Sequence, residues 1–478
     1  MKRQTPIIEA LQLHREKNPS SFHVPGHKNG KIWPGSLKAF EKVLLFDQTE
    51  LEGLDDLHDP ESIIAKSQAL CASYYGAKET SYLIGGSTSG NLAMVYGICN
   101  EDDIVLVQRN SHKSIMNGLE LAQTKAVFLD SKYDSRTNHP VGITVDILEE
   151  ALLQYPDAKA LILTYPNYWG VTLDQAGVIA RAKALGLYVL VDEAHGAHFR
   201  LGESDCSTPP SALALGADVV VQSAHKMLPT LTMGAWMHFS IKMKKDEIAQ
   251  IKRALAMVQS SSPSYLLLAS LDATQDFLRV DGERAYKEAL KSRHQFVELL
   301  NNHQLIEVVE NEDERYQKDP LKVTIRTKDD RTGGWLLSRL REAGIWAEMA
   351  DEHCVLLVLG LGDTVKALHE RFEKLHWQRY KQDRFFSTKE GVAQPVSELI
   401  DMKRIKCETE CVPLAEAVGR KAASAIVPYP PGVPLLIEGE RVRSEHIEQI
   451  KCLLKSNSKF QGQQPDKGLR VQMPGDET

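Results

Sequence analysis

The stretch Leu190-Val191-Asp192-Glu193-Ala194-His195-Gly196 decides the fold, because a short apolar run ends there at a carboxylate. Gly186 precedes the run, and the pattern predicts a buried strand over Tyr188–Val191. In open parallel sheets, ligands bind beyond the carboxyl ends of the strands. We therefore expect Asp192 and His195 to face a bound ligand.

Two other interpretations fit the same residues. Asp192, His195 and His198 have side chains that could form a metal site. Alternatively, the carboxylates could be ordinary caps at a helix N-terminus. This pattern alone does not separate either interpretation from a cofactor site.

Further short apolar runs alternate with helical stretches around this motif. A helix is predicted over Glu61–Tyr75, where Gly76 provides the stop. The predicted strands are Ile104–Val107, Ala126–Leu129, Leu161–Thr164, Tyr188–Val191, Val219–Val221 and Gly234–Phe239. Buried strands separated by helices indicate an α/β fold with a mostly parallel sheet.

The rest of the chain is predicted to form a smaller C-terminal α/β domain and a tail. Ile241 to about Leu300 has a helical, charge-rich pattern. The next predicted elements are a strand over Leu321–Arg326, a helix over Trp335–Glu342, a strand over Cys354–Leu359 and a helix over Val365–Leu375. The polar residues after Leu454 are expected to be loosely ordered.

A glycine-rich loop, Gly85-Gly86-Ser87-Thr88-Ser89-Gly90-Asn91, precedes the apolar helical run Leu92–Tyr96. Glycines allow a tight turn, while hydroxyls and the free N–H groups of a starting helix suit a phosphate. A helix N-cap with flexible glycines is the alternative. A serine-hydrolase elbow is excluded because Thr88 stands where its serine is required, and Walker A because no Gly-Lys-Ser/Thr follows.

Lys226 ends the stretch Ser223-Ala224-His225-Lys226, which follows the predicted strand Val219–Val221. A lysine amine can form a Schiff base once partial burial or nearby cations lower its pKa. A lone lysine is more often a solvated surface charge. The order of the motifs favours a cofactor site, because a phosphate loop, the strand-end Asp192 and this lysine follow one another.

That order resembles the fold-type I enzymes that use pyridoxal 5′-phosphate (PLP). The chain resembles most closely the bacterial ornithine/lysine/arginine decarboxylase family, from about residue 5 to residue 450. The stretches that carry this resemblance are Phe22-His23-Val24-Pro25-Gly26-His27-Lys28, Leu54-Asp55-Asp56-Leu57-His58, Arg109-Asn110-Ser111-His112-Lys113-Ser114, Asp192-Glu193-Ala194-His195-Gly196, Ser223-Ala224-His225-Lys226, Ser262-Pro263-Ser264-Tyr265 and Tyr429-Pro430-Pro431-Gly432. It implies a PLP-dependent transferase-like fold.

The resemblance implies a role for each candidate residue. Lys226 would hold PLP as a Schiff base, Asp192 would pair with the pyridinium nitrogen, and His112 would stack on the ring unless its loop is merely a polar turn. His195 would reach the ring oxygen or the substrate, and Lys226 or His225 would donate the proton. The residues expected around the phosphate are Ser87, Thr88, Ser89, Ser223 and His225, together with Ser262 from a neighbouring subunit.

The resemblance also implies domains and assembly. The expected boundaries are an N-terminal segment (1–60), a PLP-binding large domain (61–285), a small α/β domain (286–390), a C-terminal decarboxylase domain (391–454) and a polar tail (455–478). Because the Ser260–Ser262 stretch would reach a neighbouring phosphate, we expect a homodimer or a dimer of dimers with active sites at the interface. The family match begins within the first 25 residues, so the N-terminal domain of the large members is expected to be absent.

The expected reaction is PLP-dependent decarboxylation of a basic amino acid, with arginine favoured and lysine or ornithine left open. A distal cation needs a carboxylate, and the candidates are Asp55, Asp56 and Glu440. Carboxylates in loops are, however, more often solvated or capping. The competing interpretations are an aminotransferase or lyase of the same fold, a non-catalytic PLP-binding protein and a zinc enzyme.

Bulk properties limit the other function classes. A net charge of −7 gives no reason to expect nucleic acid. The N-terminal residues lack the apolar region of a signal peptide, and no stretch approaches the roughly 20 apolar residues of a membrane helix. Seven scattered cysteines indicate reduced thiols. We therefore expect a cytoplasmic protein that binds neither nucleic acid nor membrane.

Overall fold

A computed structural model describes residues 2–204, 206–310, 313–362, 370–372, 375, 395–404, 408–429, 432–455 and 459–473. Its helices are α1 (Pro6–Glu16), α2 (Ile63–Tyr75), α3 (Gly86–Ile98), α4 (Lys113–Ala122), α5 (Val145–Gln154), α6 (Ala176–Ala184), α7 (Ala224–Met227), α8 (Lys245–Val258), α9 (Tyr265–Phe277), α10 (Glu283–Asn302), α11 (Gly333–Glu342) and α12 (Ser444–Lys455).

The strands in the same ranges are β1 (Glu79–Leu83), β2 (Ile104–Gln108), β3 (Lys125–Leu129), β4 (Lys132–Tyr133), β5 (Pro140–Gly142), β6 (Ala160–Thr164), β7 (Val171–Leu173), β8 (Tyr188–Asp192), β9 (Val219–Gln222), β10 (Ala235–Phe239), β11 (Ile306–Val308), β12 (Tyr316–Lys318), β13 (Lys322–Thr327), β14 (Met349–Ala350), β15 (Val355–Val358), β16 (Ile400–Asp401), β17 (Thr409–Val412), β18 (Ile426–Tyr429), β19 (Lys459–Gly462) and β20 (Leu469–Gln472). The chain divides into two compact units, each discontinuous in sequence. Unit 1 is Met1–Ile98 with Leu190–Lys287, and unit 2 is Cys99–Val189 with Glu288–Thr478.

Unit 1 contains the strand order β1-β10-β9-β8. Strands β8 and β9 are parallel, with Asp192 opposite Val221, whereas β10 is antiparallel to both β9 and β1. Because β8 and β9 run in the same direction, their carboxyl ends lie at the same edge. That edge leads into the residues that follow Asp192 and into the short helix α7.

Unit 2 contains the strand order β6-β2-β3-β16 and a second, four-stranded sheet. Strand β2 is parallel to both β3 and β6. The second sheet, β11-β13-β15-β14, is antiparallel throughout. Strands β13 and β15 and helix α11 lie in the stretch where the sequence predicts strands and a helix, while the boundaries of a smaller domain there stay a prediction.

All six strands predicted between Ile104 and Phe239 are present. The parallel pairs β2–β3 and β2–β6 in unit 2 and β8–β9 in unit 1 confirm the predicted, mostly parallel pairing. Strand β1 was not predicted, because Thr80 and Ser81 interrupt its apolar pattern. Both are buried, and the Thr80 hydroxyl hydrogen-bonds His238 Nδ1 on β10 over 2.8 Å. A polar residue inside the sheet is therefore satisfied by the neighbouring strand.

Two predictions need correction. The region Ile241–Leu300 is not one continuous helical stretch, because residues 259–264 separate α8 from α9, and Pro263 falls inside that break. Loose order after Leu454 is wrong for residues 459–473. There β19 pairs with β18, and β20 pairs with β17. Leu469 and Val471 are buried, so an alternating strand pattern was concealed within a polar composition.

The helix predicted over Val365–Leu375 lies mostly outside the described residues, as do Pro430 and Pro431. None of the helices in the described ranges combines the length and the apolar character that crossing a membrane requires.

Candidate active site

Asp192 is a buried carboxylate held by neutral donors. It ends β8 with 4 % of its surface exposed. Its Oδ2 accepts a hydrogen bond from the Asn91 side-chain amide over 2.8 Å, and its Oδ1 accepts one from the Ala194 N–H over 3.1 Å. No cationic side chain in the described part of the chain forms an ion pair with it. A buried carboxylate of this kind suits a cationic group of a ligand.

The adjacent Glu193 serves the fold instead. It is fully buried, and its two oxygens accept hydrogen bonds from the Ala212 N–H and the Gln222 side-chain amide, each over 2.6 Å. Burial raises the pKa of Glu193 to about 8. Asp192 has no cationic partner for its charge among the residues that the structure describes.

Lys226 lies on α7, directly after β9, and its side chain is half-buried. Its Nζ lies 2.9 Å from His195 Nε2. The next residue back, His225, is also half-buried and donates its backbone N–H to Gly234 O over 3.1 Å. Burial, together with the positive charge of Lys226, lowers the pKa of His225. A neutral imidazole therefore stands beside the amine at neutral pH.

The glycine-rich loop joins β1 to α3. Gly86 has φ +71°, a left-handed conformation that favours glycine, and α3 begins there. The Ser223 hydroxyl donates to the Ser87 hydroxyl over 2.8 Å, so the loop and the start of α7 meet at two hydroxyls. The first N–H groups of α3 have no partner within the helix, and they provide donors for an anion.

The other predicted phosphate residues differ in exposure. Thr88 is exposed, whereas Ser89 is buried and donates its hydroxyl to Gly86 O over 2.9 Å within the first turn of α3. Ser262 is exposed. Its neighbour Ser260 is fixed through its carbonyl oxygen, which lies 2.8 Å from His58 Nε2. Phosphate contacts of these residues stay predictions.

His112 belongs to unit 2, where two of the sequence motifs meet. It caps the N-terminus of α4, and its Nδ1 accepts the Ser114 N–H over 3.2 Å. The Lys113 N–H donates to Gly432 O over 3.3 Å. A Cβ atom added at Gly432 would lie 3.4 Å from His112 Nε2, so the glycine lets the backbone approach the ring. Stacking of His112 on a cofactor stays a prediction.

All three candidate substrate carboxylates have hydrogen-bond partners within the chain. Asp55 accepts backbone N–H groups of Glu61, Ser62 and Ile64 at the start of α2. Glu440 pairs with Arg109 over 2.9 Å. Asp56 is exposed and accepts the His58 N–H over 2.8 Å. For Asp55 the capping interpretation is the correct one.

Asn91 is the functional candidate that the sequence did not single out. It was part of the quoted glycine-rich loop, but only the hydroxyls were assigned a role. The available signal was a polar side chain directly before the apolar helical run Leu92–Tyr96. The structure places its amide against Asp192.

Asp192, His195 and His198 were also considered as zinc ligands. Within the described ranges, no group of three or more His, Cys, Asp or Glu side chains is arranged to hold a metal ion. Asp192 and His195 instead contact Asn91 and Lys226, respectively.

Comparison with protein families gives two adjoining matches. Residues 5–367 match the major domain of the Orn/Lys/Arg decarboxylases, and residues 379–476 match their C-terminal domain. The chain belongs to the Orn/Lys/Arg decarboxylase family. This confirms the predicted family and the predicted class of enzyme, a decarboxylase of basic amino acids.

Individual relatives extend over nearly the whole chain. An uncharacterised protein of Bacillus subtilis, YaaO, is 40% identical over 96% of both chains. An arginine decarboxylase of the same organism is 33% identical over 99% of this chain and 96% of its own.

Solved structures show the fold. The constitutive lysine decarboxylase of Escherichia coli has a TM-score of 0.78 at 19% identity, covering 98% of this chain and 82% of its own. A structure described as SPT with PLP has a TM-score of 0.51 at 18% identity, covering 70% of this chain and 81% of its own. The chain therefore has fold type I, as the sequence predicted.

Proposed function

We propose that this decarboxylase uses PLP and that its substrate is arginine, which it converts to CO2 and agmatine, a polyamine precursor. The observation that carries the proposal is the buried Asp192 carboxylate, which accepts hydrogen bonds from two neutral donors within the described residues. It ends the strand next to β9, and β9 leads directly to the amine of Lys226.

The residues of unit 1 fit PLP in three respects. Gly86 and the two joined hydroxyls of Ser87 and Ser223 provide a turn and donors for a phosphate. Asp192 provides a buried negative charge for a protonated pyridine nitrogen. Lys226 provides the amine that an aldehyde requires, and His195 is close enough to exchange a proton with it.

When bound, PLP would supply an electron sink for the charge left on the α-carbon after loss of CO2. The protein's part is to maintain protonation states and orientation. Asp192 would keep the proton on the pyridine nitrogen, because a nearby anion favours the charged form of its partner. Lys226 or His225 would return a proton to the α-carbon. His112 would cover one face of the ring.

Arginine is favoured over lysine and ornithine by the near full-length similarity to an arginine decarboxylase. Asp55 and Glu440 already have hydrogen-bond partners within the chain. We therefore expect the guanidinium to be bound by another acidic side chain. We further propose a homodimer, in which the exposed Ser260–Ser262 segment of one subunit completes the phosphate site of the other, and a cytoplasmic location.

A substrate panel tests this proposal. Purified protein is loaded with PLP and incubated separately with arginine, lysine and ornithine, while CO2 and the amine product are measured. We expect CO2 and agmatine from arginine, with the highest kcat/KM of the three. Amino transfer to a keto acid without CO2 would contradict decarboxylation, and a higher kcat/KM for lysine or ornithine would contradict the choice of substrate.

A further inference from the structure

Asn91 is a buried amide that lies directly before the apolar part of α3. It is 1 % exposed, and Ala93, Met94 and Val95 further along α3 are fully buried. Burying an amide costs free energy unless its polar atoms form hydrogen bonds. Its Nδ2 donates to Asp192 Oδ2 over 2.8 Å, so the amide is directed at the one carboxylate that the proposed reaction requires.

Close packing of α3 against the sheet makes this hydrogen bond possible. A Cβ atom added at Gly90 would lie only 2.7 Å from Leu83 Cδ1 on β1 and 2.8 Å from Val221 Cγ1 on β9. A glycine at this position lets the helix approach both strands. Because Val221 is opposite Asp192 in the parallel pair, the same approach brings Asn91 within reach of Asp192.

We propose that Asn91 is a positioning residue that orients the Asp192 carboxylate toward the pyridine nitrogen of the cofactor. The inference rests on the proposed use of PLP. Asn91 and Ala194 each occupy a different oxygen of Asp192, so rotation of the carboxylate would break both hydrogen bonds. A donor to the anionic form of Asp192 also keeps the shared proton on the cofactor rather than on the carboxylate.

The first experiment removes the donor with little change in volume. Asn91→Leu is compared with the wild-type protein, both loaded with PLP. A matched control is Gln275→Leu, because Gln275 is a buried amide that donates to the buried Asp272 over 3.2 Å on a different helix, α9. The readouts are kcat, KM and the visible circular dichroism of the bound cofactor, which reports how the ring is held.

We expect Asn91→Leu to lower kcat about 10- to 100-fold, the range of one hydrogen bond to a charged group. Its KM should stay near the wild-type value, and its visible circular dichroism should change. Gln275→Leu should leave the kcat and the visible signal as in the wild type. A wild-type kcat and an unchanged visible signal in Asn91→Leu would overturn the proposal.

The second variant, Asn91→Asp, places two carboxylates against each other. Such a pair shares one proton and cannot readily ionise twice, so the pKa of one carboxyl rises. At low pH the proton shared by the two carboxyl groups replaces the amide donor. At higher pH both groups are ionised and repel each other. We expect the pH profile of kcat to show an additional transition, in which activity falls as pH rises. A pH profile parallel to that of the wild type would show that residue 91 does not act on Asp192.

These results separate the two proposals. A wild-type protein without a visible cofactor band would contradict the use of PLP itself. A normal wild-type band combined with unchanged Asn91 variants would contradict only the role of Asn91. If Asn91→Leu does not fold, the pH profile of Asn91→Asp decides the question, because its additional transition depends on direct contact between the two residues.

Discussion

Two buried carboxylates, Asp192 in unit 1 and Glu440 in unit 2, have opposite surroundings. Glu440 accepts the Arg109 guanidinium over 2.9 Å and the Ile437 N–H over 3.0 Å, and Arg109 also lies over the Phe128 ring. Within the described residues, Asp192 accepts hydrogen bonds only from the neutral Asn91 and Ala194 donors. Glu440 thus receives its countercharge from the chain, whereas Asp192 would receive it from a cofactor. We therefore propose that Glu440 stabilises the fold and that Asp192 acts on the cofactor.

The largest expected effect is the loss of activity in Asp192→Asn. The substitution keeps the shape of the side chain but removes the charge that would hold the pyridine nitrogen protonated, so we expect kcat/KM to fall by about 10³-fold, or ~4 kcal/mol. The thermal midpoint of the cofactor-free protein should stay close to that of the wild type, because no internal ion pair is broken. Activity of Asp192→Asn within a few-fold of the wild type would contradict the proposal that Asp192 provides the countercharge of the cofactor.

Glu440→Gln should have the opposite profile. It leaves the Arg109 guanidinium buried without its partner, which costs about 3–5 kcal/mol of unfolding free energy. Denaturant unfolding of the cofactor-free protein measures the loss. The double variant Arg109→Met with Glu440→Gln should recover most of it, because no charge is then left unpaired. An unchanged midpoint in Glu440→Gln would mean that this pair does not stabilise the fold.

A smaller effect concerns His446, whose side chain is buried and lies 3.8 Å from Glu440. Burial lowers the pKa of His446 to about 4. Between about pH 6.5 and pH 4 the unfolded chain binds a proton that the folded chain excludes, so stability is lost as pH falls, by up to about 3 kcal/mol. Unfolding free energies measured across this interval should decrease toward acid, and His446→Gln should flatten the slope. If the unfolding free energies of the wild type and His446→Gln fall equally with pH, protonation of His446 is not the cause of the lost stability.

The smallest expected effect is that of Ser87→Ala. It removes a hydroxyl at the phosphate loop and leaves Ser223 without its acceptor. We expect the dissociation constant of PLP to rise about tenfold, the equivalent of one hydrogen bond. Titration followed by the visible absorbance measures it, and Ser73→Ala is the control, because Ser73 is exposed on α2 and lies outside the proposed phosphate site. Equal affinities of Ser87→Ala and wild type would place the phosphate elsewhere.

The sequence predicted the parts of the fold that periodicity determines. Short apolar runs gave the strands from Ile104 to Phe239, and Gly76 ends α2 in the left-handed conformation expected of a C-cap. The pattern failed where polar residues were satisfied by long-range partners. Thr80 in β1 depends on His238, which is 158 positions away, and no local window contains that information.

Among the candidate site residues too, local sequence patterns revealed some, while others depend on long-range contacts. Lys226 and Asp192 could be proposed as site residues because each follows a recognisable strand. Asn91 could not, because its importance depends on a contact with a residue 101 positions later in the chain. Conversely, Asp55 looks like a substrate carboxylate in sequence, although its role as the cap of α2 appears only once its four backbone donors are known.

The central claim is that the amine of Lys226 binds PLP covalently, with Asp192 as the countercharge for the ring. Reduction of the PLP-loaded protein with borohydride, followed by proteolysis and mass spectrometry of the peptides, tests it most directly. The result we predict is a single pyridoxyl-phosphate adduct on Lys226 in the wild type, and none in Lys226→Ala. A colourless protein that yields no adduct, or an adduct on another lysine, would contradict the account.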